Sequence, residues 1–86
     1  MSDEKLIDAI STSGQGAKFL GLYKGDTSGF GSASEADMSL VCILCWWTDD
    51  DAQVEALMRT SGLAREKYQR PDYLRRTIER ARRRVR

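Results

Sequence analysis

With 86 residues the chain has room for one domain, and a domain of this size buries only roughly 60 to 65% of its unfolded surface, so modest stability is expected. Two cysteines and no histidine leave very little for metal or histidine-dependent chemistry, and a disulfide framework would want more cysteines at loop positions. The formal net charge of +1 conceals a segregation along the chain: three basic and ten acidic residues up to Met58 give −7, whereas eleven basic and three acidic residues from Arg59 onward give +8.

Such asymmetry suggests an anionic partner for the last third, with nucleic acid the leading candidate. A solvated, arginine-rich helix that merely pairs with the acidic first half explains the same numbers. No signal-peptide pattern precedes Ser11, because the first ten residues carry mixed charge and no apolar stretch. The expected location is therefore intracellular, in the cytoplasm.

Ser2 can cap a first short helix to about Ile10, with Asp3 and Glu4 at its positive end and Leu6, Ile7 and Ile10 on its apolar face. STSGQG, from Ser11 to Gly16, breaks that pattern. A second helix is predicted over Ala17 to Lys24, presenting Phe19, Leu20, Leu22 and Tyr23, with Gly25 as its stop. The following stretch to Ser34 is rich in glycine, serine and threonine and reads as a loop. Asp26, Gly31 and Asp37 stand at the first, sixth and twelfth places of a calcium loop, but Phe30 occupies a ligand place and the last place lacks glutamate, so no calcium site is expected.

The element around which the chain is organised is SEADMSLVCILCWW, from Ser34 to Trp47. Ser34 is the expected cap, with Asp37 reaching back to it. Ala36, Leu40, Ile43, Leu44 and Trp47 recur at helical spacing, and Val41, Cys42, Cys45 and Trp46 make most of the remaining circumference apolar. The apolar run from Leu40 to Trp47 is far short of the roughly 20 residues that cross a bilayer, so the helix belongs in a core and no membrane partner is expected. Cys42 and Cys45 spell CxxC, but mid-helix in an apolar run, without a second pair or a histidine, they read as core residues. Trp47 follows the core face; Trp46 points about 100° away and is a candidate ligand contact.

Asp50 and Gln53 form a possible capping box for a fourth helix to about Ser61, with Val54, Leu57, Met58 and Ser61 inward and Gly62 as a left-handed stop. Leu63 to Tyr68 can form one or two turns, and Pro71 suits the first turn of a last helix. There Leu74, Ile78, Ala81 and Val85 repeat at helical spacing, leaving Arg75, Arg76, Arg80, Arg82, Arg83 and Arg84 largely outward. The pattern predicts an all-α fold, a small irregular bundle of five or six helices around the central helix at about 34–47. No stop residue follows the last helix, so residues 1–86 are expected to be one helical-bundle domain of a longer protein.

Phosphate loops and histidine bases are absent from the sequence, and Asp49 to Asp51 are accounted for by the helix dipole, so nothing looks catalytic and neither a metal nor a cofactor is expected. Arg59, Arg65, Lys67, Arg70, Arg75 and Arg76 instead cluster around a helix end, a connector and the next helix start, interleaved with Tyr68 and Tyr73. Guanidinium forks fit phosphates and aromatic rings stack unpaired bases, a combination suited to single-stranded nucleic acid. Tyr68 and Tyr73 packed in the bundle beside solvated cations is the alternative.

The GD turn at Gly25 and Asp26, SxSEAD from Ser32 to Asp37, the WT step at Trp47 and Thr48, MRTSGLAREKY from Met58 to Tyr68 and the downstream PDYLRRTI together resemble the helix-bundle domain of phage and plasmid primase-polymerases. The resemblance covers roughly Phe19 to Ile78. The family more often has an aromatic where Met58 stands and a tryptophan where Tyr68 stands. The resemblance implies an accessory, non-catalytic domain that binds template single-stranded DNA, with an initiating nucleoside triphosphate as a further ligand, beside separate primase and helicase domains. By motif, Arg59, Ser61, Arg65 and Lys67 would belong to the functional surface, with Lys24 and Asp26 nearby; Tyr68, Arg70, Arg75 and Arg76 extend it on the reading of the residues themselves. The isolated domain is expected to be monomeric. The rival is a protein-interaction module whose basic last helix docks on an acidic partner domain, and a CxxC redox enzyme is a distant third.

Overall fold

Ser2 opens the first helix as its sequence predicts: its hydroxyl accepts the Lys5 N–H at 3.3 Å, and Asp3 and Glu4 lie in the first turn. The computed structural model describes residues 2–85; Met1 and Arg86, the ends of the expected domain, lie outside the described residues. Within them run α1 (Asp3–Ser11), α2 (Gly16–Lys24), α3 (Ala33–Trp47), α4 (Asp51–Thr60), a short 3-10 turn (Glu66–Gln69) and α5 (Tyr73–Val85), with no strand among the described residues. The fold is the all-α bundle that the sequence predicts.

The centre is α3, which packs against α2, α4 and α5. Its Ala36, Leu40, Val41 and Leu44 are fully buried, meeting Leu6 and Ile10 from α1, Phe19 and Leu22 from α2, Val54 and Met58 from α4 and Leu74 and Ala81 from α5. The leucine, isoleucine, valine, phenylalanine and methionine side chains among these each contribute roughly 1.5–3 kcal/mol by leaving water. The cap differs from expectation by two residues. Ser32, not Ser34, accepts the Glu35 N–H at 3.2 Å, and the Glu35 carboxylate accepts the Gly31 N–H at 2.9 Å. The longer glutamate can reach back to the backbone ahead of the helix. Asp37 cannot serve as the cap partner, because it points into the protein.

Gly25 ends α2 in the left-handed conformation, φ 101°, and the Asp26 N–H returns to the Gly21 carbonyl at 2.9 Å. Gly62 does not repeat this role after α4; Gly25 is the one glycine with positive φ among the described residues. Instead Gly62 lets two backbones touch. Its N–H donates to the Tyr23 carbonyl at 2.7 Å, and a methyl group there would overlap the Lys24 carbonyl. The chain turns out of α4 through extended Ser61, whose buried hydroxyl donates to the Met58 carbonyl at 2.7 Å.

Asp50 caps α4 as expected, accepting the Gln53 N–H at 3.2 Å, while the Gln53 amide accepts from the Thr48 hydroxyl and donates to Asp3, tying α4 to the start of α1. Pro71 precedes α5 rather than sitting in its first turn, since the helix begins at Tyr73. α5 runs beside α3 in the same direction, because Tyr73 meets Asp37 at one end while Arg82 meets the Cys45 and Thr48 carbonyls at the other. Arg82 is thus not outward as the pattern suggests. Its guanidinium covers carbonyls left open at the end of α3, at 2.9 and 2.8 Å, and binds Asp51 at the start of α4 at 2.7 Å. One arginine closes one helix and anchors the next.

Candidate nucleic-acid interface

Asp37 is a fully buried carboxylate, which in an apolar interior is tolerated only when paired and hydrogen-bonded. Arg65 supplies a two-pronged partner, Nη1 on one carboxylate oxygen at 2.9 Å and Nη2 on the other at 2.6 Å. The Tyr68 hydroxyl donates at 2.6 Å and the Tyr73 hydroxyl donates to the remaining oxygen. The two rings stack with centroids 5.8 Å apart, and the Arg65 guanidinium lies 5.3 Å from the Tyr68 centroid. Burial and the hydrogen bonds to Asp37 push both phenols above their ordinary pKa, and the Asp37 bond holds the Arg65 cation more firmly than usual. These four side chains join the start of α3 to the connector and to the start of α5.

The residues picked out in sequence therefore divide. Tyr68 is 2% exposed and Ser61 is buried with its hydroxyl on its own helix end, so neither offers a face to a ligand. Tyr68 packs in the bundle, the alternative reading of that position. Arg65 has both terminal nitrogens on Asp37. Arg59 is exposed but leans on Glu55 at 2.8 Å and on the Tyr68 carbonyl at 2.7 Å, bracing the connector. Lys67 lies over the Tyr73 ring at 4.5 Å and donates to the Ser34 hydroxyl at 3.1 Å, leaving its ammonium at the surface beside the cluster. The Gly25–Gly62 contact brings the turn with Lys24 and Asp26 against the segment after Ser61, and the Ser28 N–H lowers the Asp26 pKa.

Beyond the cluster the surface is cationic. Arg70, Arg75, Arg76 and Arg80 are exposed, and Arg76 alone of these makes an ion pair among the described residues, with Asp72 at 3.3 Å. Arg70, Arg76 and Arg80 line a cleft of about 220 Å³ with Pro71, Asp72 and Tyr73, and a second groove of about 460 Å³ adjoins it along Glu66, Lys67, Gln69 and Arg70. Arg80 lines this cleft too, although the sequence reading does not single it out; its spacing of four from Arg76 puts it on the same stripe of α5 and is the signal that points to it. An open, positively charged groove of this kind can hold phosphate groups through guanidinium forks. No group of metal-binding side chains occurs among the described residues, and no helix there is long and apolar enough to cross a membrane. Cys45 is buried and Cys42 half-buried, with burial pushing the Cys42 thiol up.

A family model described as the NrS-1 polymerase HBD domain matches residues 33–86, from the start of α3 onward. No curated protein and no solved structure matches the chain.

Proposed function

Since the chain belongs to the family of NrS-1 polymerase HBD domains, a helical domain of phage primase-polymerases, we propose that it is a non-catalytic accessory domain that binds template single-stranded DNA for a separate primase domain, within a longer protein. The observation that carries this reading is the basic surface of the connector and α5. Lys67, Arg70, Arg76 and Arg80 line two open grooves, next to a buried cluster that fixes the connector's geometry, while Arg75 lines a separate cleft with Asp51, Glu55 and Glu79. Phosphates on these cations give affinity that falls with salt. The narrower cleft between Arg70, Arg76 and Arg80 has room for the phosphates of an initiating nucleotide.

Fluorescence anisotropy of labelled single-stranded and duplex DNA, titrated with the domain at several salt concentrations, tests this. Tighter, salt-dependent binding to the single strand is the expected outcome. No binding at low salt, together with association to an acidic protein surface that salt reverses, would replace it with the docking reading.

A further inference from the structure

Trp46 is the large hydrophobic residue that stands out in solvent, 67% exposed, at the last turn of α3. Its neighbour Trp47 is turned toward the protein, half-buried, with its indole N–H on Gln15 at 3.3 Å. Two clefts meet at Trp46 and share Val85 as a wall. One, about 260 Å³, runs to Cys45 and Asp49; the other, about 200 Å³, is lined by Gln15, Lys18, Ser39, Cys42 and Ile43. Lys18 lines the second cleft, and Arg84 is exposed one residue before Val85, the wall that both clefts share. The second cleft thus has a cationic rim and the first an acidic one, where Asp49 is drawn toward Arg82 at 3.9 Å.

This end of α3 lies along the same helix as the basic grooves. Arg76, Arg80 and Arg84 succeed one another every four residues along α5, which runs beside α3 from the Asp37 end to the Trp46 end. From Arg76 to Arg84 the helix rises about 12 Å. We infer that Trp46 is a base-stacking subsite for single-stranded nucleic acid at the far end of this arginine row, an unpaired base lying on the indole with its phosphate toward Lys18 and Arg84. The inference rests on the single-strand reading above and adds to it a contact residue and a direction for the strand. A stacked base needs an open aromatic plane, shallow space beside it and a cation within reach of the next phosphate, and all three meet here. Lys18 lines the second cleft, whereas the first offers Asp49, so the strand leaves across Lys18.

The test uses the whole chain with Trp47→Phe, in which Trp46 is the sole indole, titrated with oligothymidylates of increasing length at low salt. The expected result is quenching of Trp46 emission by oligonucleotides long enough to span the arginine row but not by the shortest ones. Trp46→Ala should then weaken binding of the long oligonucleotides roughly 5- to 150-fold, the range for one stacked base, while Trp46→Phe retains most of the affinity. Circular dichroism confirms that each variant stays helical. Unquenched Trp46 with wild-type affinity in Trp46→Ala overturns the subsite while single-strand binding stands. Absence of binding by the unaltered chain overturns both. Quenching by an acidic peptide and not by DNA assigns Trp46 to a protein partner and overturns the subsite.

Discussion

Replacing Asp37 by alanine removes the acceptor for four donors: two from Arg65 and one each from Tyr68 and Tyr73. Removing one partner of a buried ion pair typically costs about 3–5 kcal/mol because the other charge is stranded. Here the Arg65 side chain is 31% exposed and can recover water, so the lower end, about 3 kcal/mol, applies. At roughly 0.05–0.15 kcal/mol per residue a chain this size has a total stability of about 4–13 kcal/mol, so the loss is a large fraction of it. With about 4–8 °C per kcal/mol for a small domain, Asp37→Ala should melt about 12–24 °C below the unaltered chain when followed by circular dichroism at 222 nm. Arg65→Ala should also destabilise, since it leaves the carboxylate with the two hydroxyls alone. The double variant should lose less than the sum of the two, by about 0.5–3 kcal/mol, because each single change strands what the other removes. A melting point for Asp37→Ala within about 4 °C of the parent would mean that the cluster contributes less than about 1 kcal/mol, and the reasoning fails.

The same geometry separates positioning from phosphate contact in DNA titrations: alanine at Lys67, Arg70 or Arg80 should reduce the slope of log affinity against log salt by about 0.7 for each phosphate lost on a single strand. Arg65→Ala, assayed where it remains folded, should leave that slope unchanged; an equal drop would assign Arg65 to DNA. Gly62→Ala should cost about 1–3 kcal/mol in urea unfolding because its methyl meets the Lys24 carbonyl, and a wild-type midpoint would show that the backbones can part freely. Tyr68 and Tyr73 have raised pKa values in the fold, so the stability that they contribute is complete below about pH 10, the unfolded value, and declines as pH rises beyond it. The urea midpoint should therefore begin to fall above about pH 10; phenolate absorbance in a Tyr23→Phe variant titrating at an ordinary midpoint with the fold intact would contradict this.

The helices were legible because their signals are local. Ser2, Asp50 and the apolar run from Leu40 announce where segments begin and which of them lies inside, and the inward faces of α4 and α5 follow from helical spacing. What could not be read depends on partners far along the chain. Asp37 resembles a helix-cap residue until Arg65, Tyr68 and Tyr73, 28 to 36 positions later, are brought to it. Arg82 resembles any solvated arginine until the end of α3 comes within its reach, and Gly62 resembles a helix stop until α2 lies against it. Each error took a residue's nearest sequence context for its reason. In the candidate interface, Ser61 and Arg65, singled out by motif, and Tyr68, singled out as a stacking ring, hold the connector, while Arg70, Arg75 and Arg76, singled out by charge, lie at the surface.

The charge segregation takes on a different meaning once these pairs are known. Arg59 on Glu55, Arg65 on Asp37 and Arg82 on Asp51 each join the basic third of the chain to its acidic part, so pairing within the fold accounts for three of the late cations. All three pairs fall inside residues 33–86, the part that matches the family, whereas α1 and α2 add apolar weight through Leu6, Ile10, Phe19 and Leu22. Lys67, Arg70, Arg75, Arg80, Arg83 and Arg84 make no ion pair among the described residues. A surface charge of this kind gains little from a single exposed partner and much from a row of phosphates whose counterions it displaces. The residues that define the motif and the residues available to an anion are therefore largely different sets, so a loss of binding after a motif substitution is first a question about folding.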